Sequence, residues 1–137
     1  MSEQAALKVL IVDDYDMTRT LLKIILRGQR FEIVGEAVDG EEGVAMCTNL
    51  QPDIVLLDVV MPKLNGLEAL AKIKSMARQP MVLMVSGAEE SGVVEQAVRL
   101  GASGYILKPF NTASVIETMN QARDTFILRN AAEIKRH

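Results

Sequence analysis

Residues 53–66, DIVLLDVVMPKLNG, carry the pattern from which the fold class is inferred. An apolar run, Asp53–Leu57 (DIVLL), leads into a single acidic residue, Asp58, and the chain then reaches the turn residues Asn65 and Gly66. A run this short and this rich in Val, Ile and Leu is typical of a strand that is covered on both faces. Four further runs of the same kind are predicted to be strands: Lys8–Val12, Ile33–Ala37, Met81–Val85 and Gly104–Leu107.

Apolar residues at helical spacing follow each of these runs. Leu67, Leu70 and Ile73 show the pattern after the third run. Strict alternation of this kind predicts five βα units, with parallel strands joined by right-handed helical crossovers. Five units are too few for a closed eight-stranded barrel, so we predict an open, doubly wound α/β sheet. The run Ile33–Ala37 is the most polar and is predicted to be an edge strand.

Composition excludes several classes of protein. The chain has 137 residues, 49% of them apolar and 24% charged, which suits one soluble domain. One cysteine, Cys47, and one histidine, His137, exclude a disulfide framework, a histidine zinc cluster and a Ser-His-Asp triad. The net charge of −3 argues against direct nucleic-acid binding. No apolar run approaches the ~20 residues that a bilayer requires, so we expect a cytoplasmic protein with no membrane insertion.

The predicted strands end in residues of complementary chemistry. The first ends in Asp13 and Asp14, the third in Asp58, the fourth in Ser86 and the fifth in Lys108. A lone Asp in such a place is usually a helix N-cap, but parallel strands bring all of these ends to one sheet edge, where ligands bind. Three carboxylates repel one another unless a cation or proton shares the site. Oxygen ligands favour Mg²⁺, Mn²⁺ or Ca²⁺, and a lysine and a hydroxyl suit a phosphoryl group.

Four segments carry a resemblance to a known family: VLIVDDYDMTR (9–19), DIVLLDVVMPKLNG (53–66), VLMVSGA (82–88) and GASGYILKPF (101–110). In this order and spacing they resemble two-component response-regulator receiver domains, and the last segment is similar to the CheY-like single-domain receivers of chemotaxis. The resemblance implies a flavodoxin-like fold with strand order 2-1-3-4-5. It covers Lys8 to Arg123, so residues 1–123 are expected to form the receiver domain. Residues 124–137 keep apolar helical spacing and are expected to extend the fifth helix.

The resemblance also assigns roles to the acidic residues. Asp58 would accept a phosphoryl group from a histidine kinase or a phosphotransfer protein. Asp14 and Asp58 would bind Mg²⁺, for which Mn²⁺ can substitute, together with the backbone carbonyl of Val60. Asp13 would act mainly through a metal-bound water. Arg19 is expected to support the acidic loop or the surface of the first helix.

The remaining roles concern the response to phosphorylation. Lys108 would pair with the phosphoryl oxygens, Ser86 would donate its hydroxyl to one of them, and the Lys108–Pro109 bond would be cis. Tyr105 would be the switch aromatic that remodels the face formed by the fourth helix, fifth strand and fifth helix, where a downstream protein binds. A second copy of the chain is a further candidate partner. Val60 and Ala88 are apolar at positions that tune phosphoryl lifetime, which predicts slow self-dephosphorylation.

Three alternatives remain beside a stand-alone signalling receiver that is not an enzyme. The chain could be the receiver fragment of a multidomain regulator. A small Mg²⁺-dependent phosphatase with an aspartyl nucleophile would need a second acid where Val60 stands. A flavin or nucleotide binder would need a phosphate-cradling loop after the first strand, whereas DDYDMT is acidic and contains no glycine.

Overall fold

The computed structural model describes residues 6–87 and 92–136, with side chains as far as residue 132. In these residues five strands alternate with five helices. The strands are β1 (Leu7–Val12), β2 (Phe31–Ala37), β3 (Ile54–Asp58), β4 (Met81–Gly87) and β5 (Gly104–Lys108). The helices are α1 (Asp16–Leu26), α2 (Gly40–Leu50), α3 (Gly66–Lys74), α4 (Val93–Arg99) and α5 (Thr112–Arg136).

The strands form one parallel sheet in the order β2-β1-β3-β4-β5, as the resemblance implied. The prediction that the second strand lies at an edge is therefore confirmed. Observed strand ends differ from the predicted ones by one or two residues. For example, β2 begins at Phe31 because this residue pairs with Leu7, and β4 continues to Gly87 because Gly87 pairs with Lys108.

Helices cover both faces of the sheet. One core layer lies against α1 and α5 and includes Ile11, Leu22 and Met119. The other lies against α2, α3 and α4 and includes Leu70 and Ile73. Because successive residues of a strand point to opposite faces, a strand covered on both sides is apolar throughout. This arrangement explains the unbroken apolar runs in the sequence.

Close packing of glycine shapes the loop between β3 and α3. A Cβ on Gly66 would lie 2.0 Å from the carbonyl oxygen of Asp58, so a side chain cannot fit there without movement of the backbone. The Gly66 N–H donates to the Val59 carbonyl at 2.7 Å, and Asn65 and Glu68 form a capping box at the start of α3. Together these contacts hold the chain that follows Asp58 in one conformation.

The fifth helix is long, as the spacing predicted. It has 25 residues and continues beyond Arg123 without a break. Phe126, which lies in this extension, is only 8% exposed and belongs to the core layer of α1 and α5. The division into residues 1–123 and 124–137 remains a prediction, and residue 137 lies outside the described residues. Among residues 6–87 and 92–136, no helix is both long and apolar enough to span a bilayer.

Candidate functional site

An acidic cluster lies at the carboxyl edge of the sheet. Asp13 and Asp14 follow β1 directly, and Asp58 is the last residue of β3. The two strands are paired, with Val12 opposite Leu57, so the acidic residues that follow are side by side. One carboxylate oxygen from each of the three aspartates lies within 4.8 Å of the others. Asp13 is 2% exposed and Asp58 is 6% exposed, whereas Asp14 faces solvent. The prediction from sequence that these three residues meet at one edge of the sheet is confirmed.

Lys108, the last residue of β5, reaches this cluster from two strands away. Its Nζ lies 3.0 Å from Oδ2 of Asp13 and 3.4 Å from Oδ1 of Asp58. Burial by itself lowers the pKa of Lys108, but its hydrogen bond to Asp13 and the charges of Asp58 and Asp13 outweigh burial and raise the pKa overall. The side chain is therefore a fixed positive charge within the cluster. The peptide bond between Lys108 and Pro109 is cis, as expected.

One ammonium group does not neutralise three carboxylates, and Asp58 shows the consequence. Burial and the charge of Asp13 raise the pKa of Asp58 to about 6, although Lys108 and the Val59 N–H, which donates to Asp58 Oδ1 at 2.9 Å, favour the carboxylate. The residues present fit a divalent cation that prefers oxygen ligands, because such an ion would supply the missing positive charge. Among residues 6–87 and 92–136, no thiolate or imidazole, which would favour zinc, joins the cluster.

A second network holds the β1–α1 loop that carries Asp13 and Asp14. The Asp13 N–H donates to the Ala37 carbonyl at 3.0 Å, and Asp13 Oδ1 accepts a hydrogen bond from the Tyr15 N–H at 2.9 Å. Arg19, which is 8% exposed, donates from Nη1 to the Asp13 carbonyl at 2.6 Å. The expectation that Arg19 supports the acidic loop is thus confirmed.

The sequence did not reveal what anchors Arg19. Its Nε donates to Oε1 of Glu36 at 3.0 Å, it also pairs with Asp16, and Lys23 donates to Oε2 of Glu36 at 2.7 Å. Burial lowers the pKa of Arg19, but its hydrogen bonds to Glu36 and Asp16 raise it overall. A charged residue in the middle of the second apolar run was the only signal for Glu36.

Ser86 lies on β4 and Tyr105 on the neighbouring strand β5. Asp58 pairs with Val85, so Ser86 lies one residue further toward the carboxyl edge, where it is 3% exposed. Among the described residues no hydrogen bond joins Ser86 to the three aspartates. Tyr105 is half-buried against the core layer of α2, α3 and α4. The roles predicted for these two residues remain predictions.

Of the two residues expected to tune phosphoryl lifetime, Val60 is among the residues that the structure describes. Val60 follows β3 and is 60% exposed, so its side chain borders solvent next to Asp58. Its carbonyl as a metal ligand remains a prediction. Ala88 lies outside the described residues.

Fold and site together define a class of protein: a doubly wound α/β domain with an acidic cluster that contacts a lysine and could hold a divalent cation. The comparisons with known proteins identify the family. The model of the response regulator receiver domain matches residues 9–120, and the chain belongs to this family. Receiver domains are signalling domains of two-component systems rather than classical enzymes.

Individual relatives agree with this assignment. The chain is 42% identical over 116 residues to the chemotaxis protein CheY of Listeria monocytogenes, covering 85% of this chain and 98% of the relative. It is 39% identical over 125 residues to the nitrate/nitrite response regulator protein NarL of Escherichia coli, covering 89% of this chain but 57% of NarL. Its structure resembles the crystal structure of the CheX-CheY-BeF3-Mg²⁺ complex from Borrelia burgdorferi, with a TM-score of 0.78 and 35% sequence identity. The match covers 82% of this chain and 86% of the Borrelia chain.

Proposed function

We propose that the protein is a phosphorylation-dependent signalling switch in which Asp58 accepts a phosphoryl group in a Mg²⁺-dependent reaction. The contact of the Lys108 ammonium with both Asp13 and Asp58 carries this proposal, because it places a cation beside the nucleophile where phosphoryl charge must be stabilised. The donor is a histidine kinase or a phosphotransfer protein, as is typical of two-component signalling.

The proposed reaction needs no general base. An oxygen of the Asp58 carboxylate attacks the phosphorus of a phosphohistidine, an O–P bond forms, and the N–P bond breaks. The electron pair of that bond leaves with the imidazole, which takes up a proton from solvent. Phosphoryl transfer depends mainly on positioning and on stabilisation of charge. Lys108 supplies charge to the phosphoryl oxygens, and Ser86 donates its hydroxyl to one of them.

The acidic cluster would hold the metal ion. We assign Asp14, Asp58 and the carbonyl of Val60 as ligands and Asp13 as a residue that acts through a metal-bound water. When bound, Mg²⁺ neutralises the carboxylates and the incoming phosphoryl oxygens. Mn²⁺ has similar ligand preferences and is expected to substitute. The Borrelia CheY complex contains BeF3 and Mg²⁺, which supports binding of Mg²⁺ by this chain.

The switch would act on the side of the sheet that ends in β5. Phosphorylation replaces the single negative charge of the Asp58 carboxylate with a phosphoryl group that carries about −1.5 to −2 charges and three strong acceptor oxygens, which would draw Ser86 and Lys108 toward it. Tyr105 would then rotate and remodel the surface of α4, β5 and α5. This surface exposes Val98, at 64%, and Leu107, at 50%, which suits contact with a downstream protein. A second copy of the chain is an additional candidate partner.

A labelling experiment tests the phosphorylation site. Asp58→Asn is expected to abolish incorporation of phosphate from acetyl phosphate in Mg²⁺, measured by intact-protein mass spectrometry. Asp53→Asn is the matched control, because Asp53 is 8% exposed, close to the 6% of Asp58, and is also at a strand boundary, but lies outside the acidic cluster. It should leave labelling unchanged. Undiminished labelling of the Asp58→Asn protein would contradict the assignment, and turnover of acetyl phosphate by the parent protein without labelling would favour a phosphatase.

A further inference from the structure

A recess of about 550 Å³ opens at the edge of the sheet opposite the acidic cluster. It lies between the residues that lead into β3, the loop from α3 to β4, and the C-terminal part of α5. Its walls include Pro52, Arg78, Pro80, Phe126, Arg129 and Asn130. A volume of this size is typical of a site for a small molecule rather than for a protein surface.

The wall formed by α5 lies beyond the receiver family pattern. The family model ends at residue 120, whereas Phe126, Arg129 and Asn130 follow it. Phe126 is anchored in the core, and the guanidinium carbon of Arg129 lies 5.3 Å from the centroid of its ring. Cation–π contact of this kind restricts the orientation of the guanidinium. The extension of α5 therefore gives this chain a cationic wall that the family pattern does not include.

Asp53, the acidic residue that lines the recess, already has hydrogen-bond and ion-pair partners. Asp53 Oδ2 accepts a hydrogen bond from the Lys8 N–H at 2.8 Å, and its Oδ1 lies 3.4 Å from Nη2 of Arg78. Arg78 also donates from Nη1 to the Gln51 carbonyl at 2.9 Å. These bonds fix the Arg78 guanidinium at the wall and use two of its five N–H donors, so three remain for a ligand.

The positive charges at the recess outnumber the negative ones. Lys74 lies behind the wall, with its Nζ 3.5 Å from the carbonyl oxygen of Pro80. Among the side chains that the structure describes, no carboxylate lies within 4.0 Å of the Lys74 or Arg129 cations. Burial and the nearby charge of Arg129 lower the pKa of Lys74. Positive charges therefore repel one another at this edge of the sheet, as the aspartates do at the other edge.

We propose that this recess binds a small molecule that carries two anionic groups, carboxylates or phosphates, through the guanidinium groups of Arg78 and Arg129. Guanidinium groups match both carboxylate and phosphate geometry and bind them through paired N–H donors. The whole chain carries a net charge of −3, so the attraction is local to the recess and does not extend to polyanions such as nucleic acids. The site is independent of the chemistry proposed for Asp58.

Titration with two probes, inorganic pyrophosphate and succinate, tests this proposal. The full chain is used without Mg²⁺ at low ionic strength, and binding is followed by ¹H–¹⁵N NMR. Saturable shifts are expected at residues 77–79 and 126–130, and not at Asp13 or Lys108. A preference for one probe identifies phosphate or carboxylate as the chemistry recognised. Arg129→Gln and Arg78→Gln should each weaken binding at least about tenfold, as expected for loss of a charged hydrogen-bonding partner.

Arg30→Gln is the control, because it removes one exposed positive charge that lines none of the described cavities. It should leave the dissociation constant unchanged. Equal weakening by Arg30→Gln would show that only net charge matters and would overturn the proposal. The proposal is also overturned if neither probe gives saturable shifts, or if the shifts are confined to the residues around Lys108. The dispersion of the spectra shows whether each variant is folded.

Discussion

Neutralising Asp58 should stabilise the metal-free protein. The Asp58→Asn change keeps the shape of the side chain and an oxygen that can accept the Val59 N–H, but it removes a buried negative charge beside Asp13. The pKa of Asp58 rises from its ordinary value of 3.8 to about 6 because of burial and the charge of Asp13. One pKa unit corresponds to 1.36 kcal/mol, so ionisation of Asp58 costs the folded state about 3 kcal/mol.

The sign of this effect sets its pH dependence. Between the unfolded value of 3.8 and the folded value of about 6, the folded state holds the proton more tightly than the unfolded state. The stability associated with Asp58 is therefore complete below pH 3.8 and is lost as the pH rises through 6. The Asp58→Asn protein has no charge to gain at this position, so it does not lose this stability as the pH rises. Its advantage in free energy of unfolding should be small near pH 4 and reach about 3 kcal/mol above pH 7.

Urea denaturation in excess chelator, at pH 4.5 and pH 7.5, measures the difference. Asp14→Asn is the matched control, because it removes the same charge from the same cluster at an exposed position and should give a much smaller gain. Addition of Mg²⁺ at pH 7.5 should narrow the gap between the parent and Asp58→Asn, since an ion that binds only the folded parent stabilises it by mass action. No gain at pH 7.5, or the same gain at both pH values, would refute this account of the site.

Three further predictions concern the lifetime of the aspartyl phosphate, the packing of Gly66 and the position of the loop that carries Asp13 and Asp14. Val60→Asn should accelerate hydrolysis of the aspartyl phosphate, because an amide can orient the attacking water. The rate is measured as phosphate release from purified phosphoprotein in Mg²⁺. The control Val98→Asn, at another exposed valine, should leave this rate unchanged. Gly66→Ala should lower the free energy of unfolding by at least about 2 kcal/mol in urea, because its Cβ would lie 2.0 Å from the Asp58 carbonyl oxygen. Arg19→Gln should weaken Mg²⁺ binding in calorimetry more than Arg19→Lys, since lysine can still donate a hydrogen bond to Glu36 or to the Asp13 carbonyl, the contacts that position the acidic loop; unchanged binding by Arg19→Gln would contradict this positioning role.

The acidic cluster could be predicted from sequence because two general rules suffice. Parallel strands end at one edge of the sheet, and Asp13, Asp14 and Asp58 each follow an apolar run. The same rules place Lys108 at that edge. They do not give the 3.0 Å contact between Lys108 and Asp13, because the two residues lie on strands that are not neighbours. That contact depends on the direction of a long, flexible side chain.

The Arg19–Glu36 pair could not be predicted for a different reason. The register between β1 and β2 shifts between Val9 and Leu10, which pair with Ile33 and Gly35. This irregularity changes which residues of β2 lie beside the start of α1, and nothing in the apolar pattern signals it. Since a shift of one residue moves a side chain to the opposite face of a sheet, the partner of Arg19 depends on a local feature that only the structure shows.

The electrostatic cost at Asp58 has a consequence for how this protein responds to change. Domains are stable by only about 5–15 kcal/mol, so a cost of about 3 kcal/mol at one carboxylate is a large fraction of the total. The cost is tolerated because the strand that carries Asp58 is fixed by a fully buried core, including Leu56 and Leu57 at no more than 1% exposure. A search for stabilising substitutions would therefore select changes at Asp58 first, and such a change would remove the proposed function. Stability and activity are opposed at this edge of the sheet, because the charge repulsion that destabilises the metal-free protein is also what favours binding of a cation.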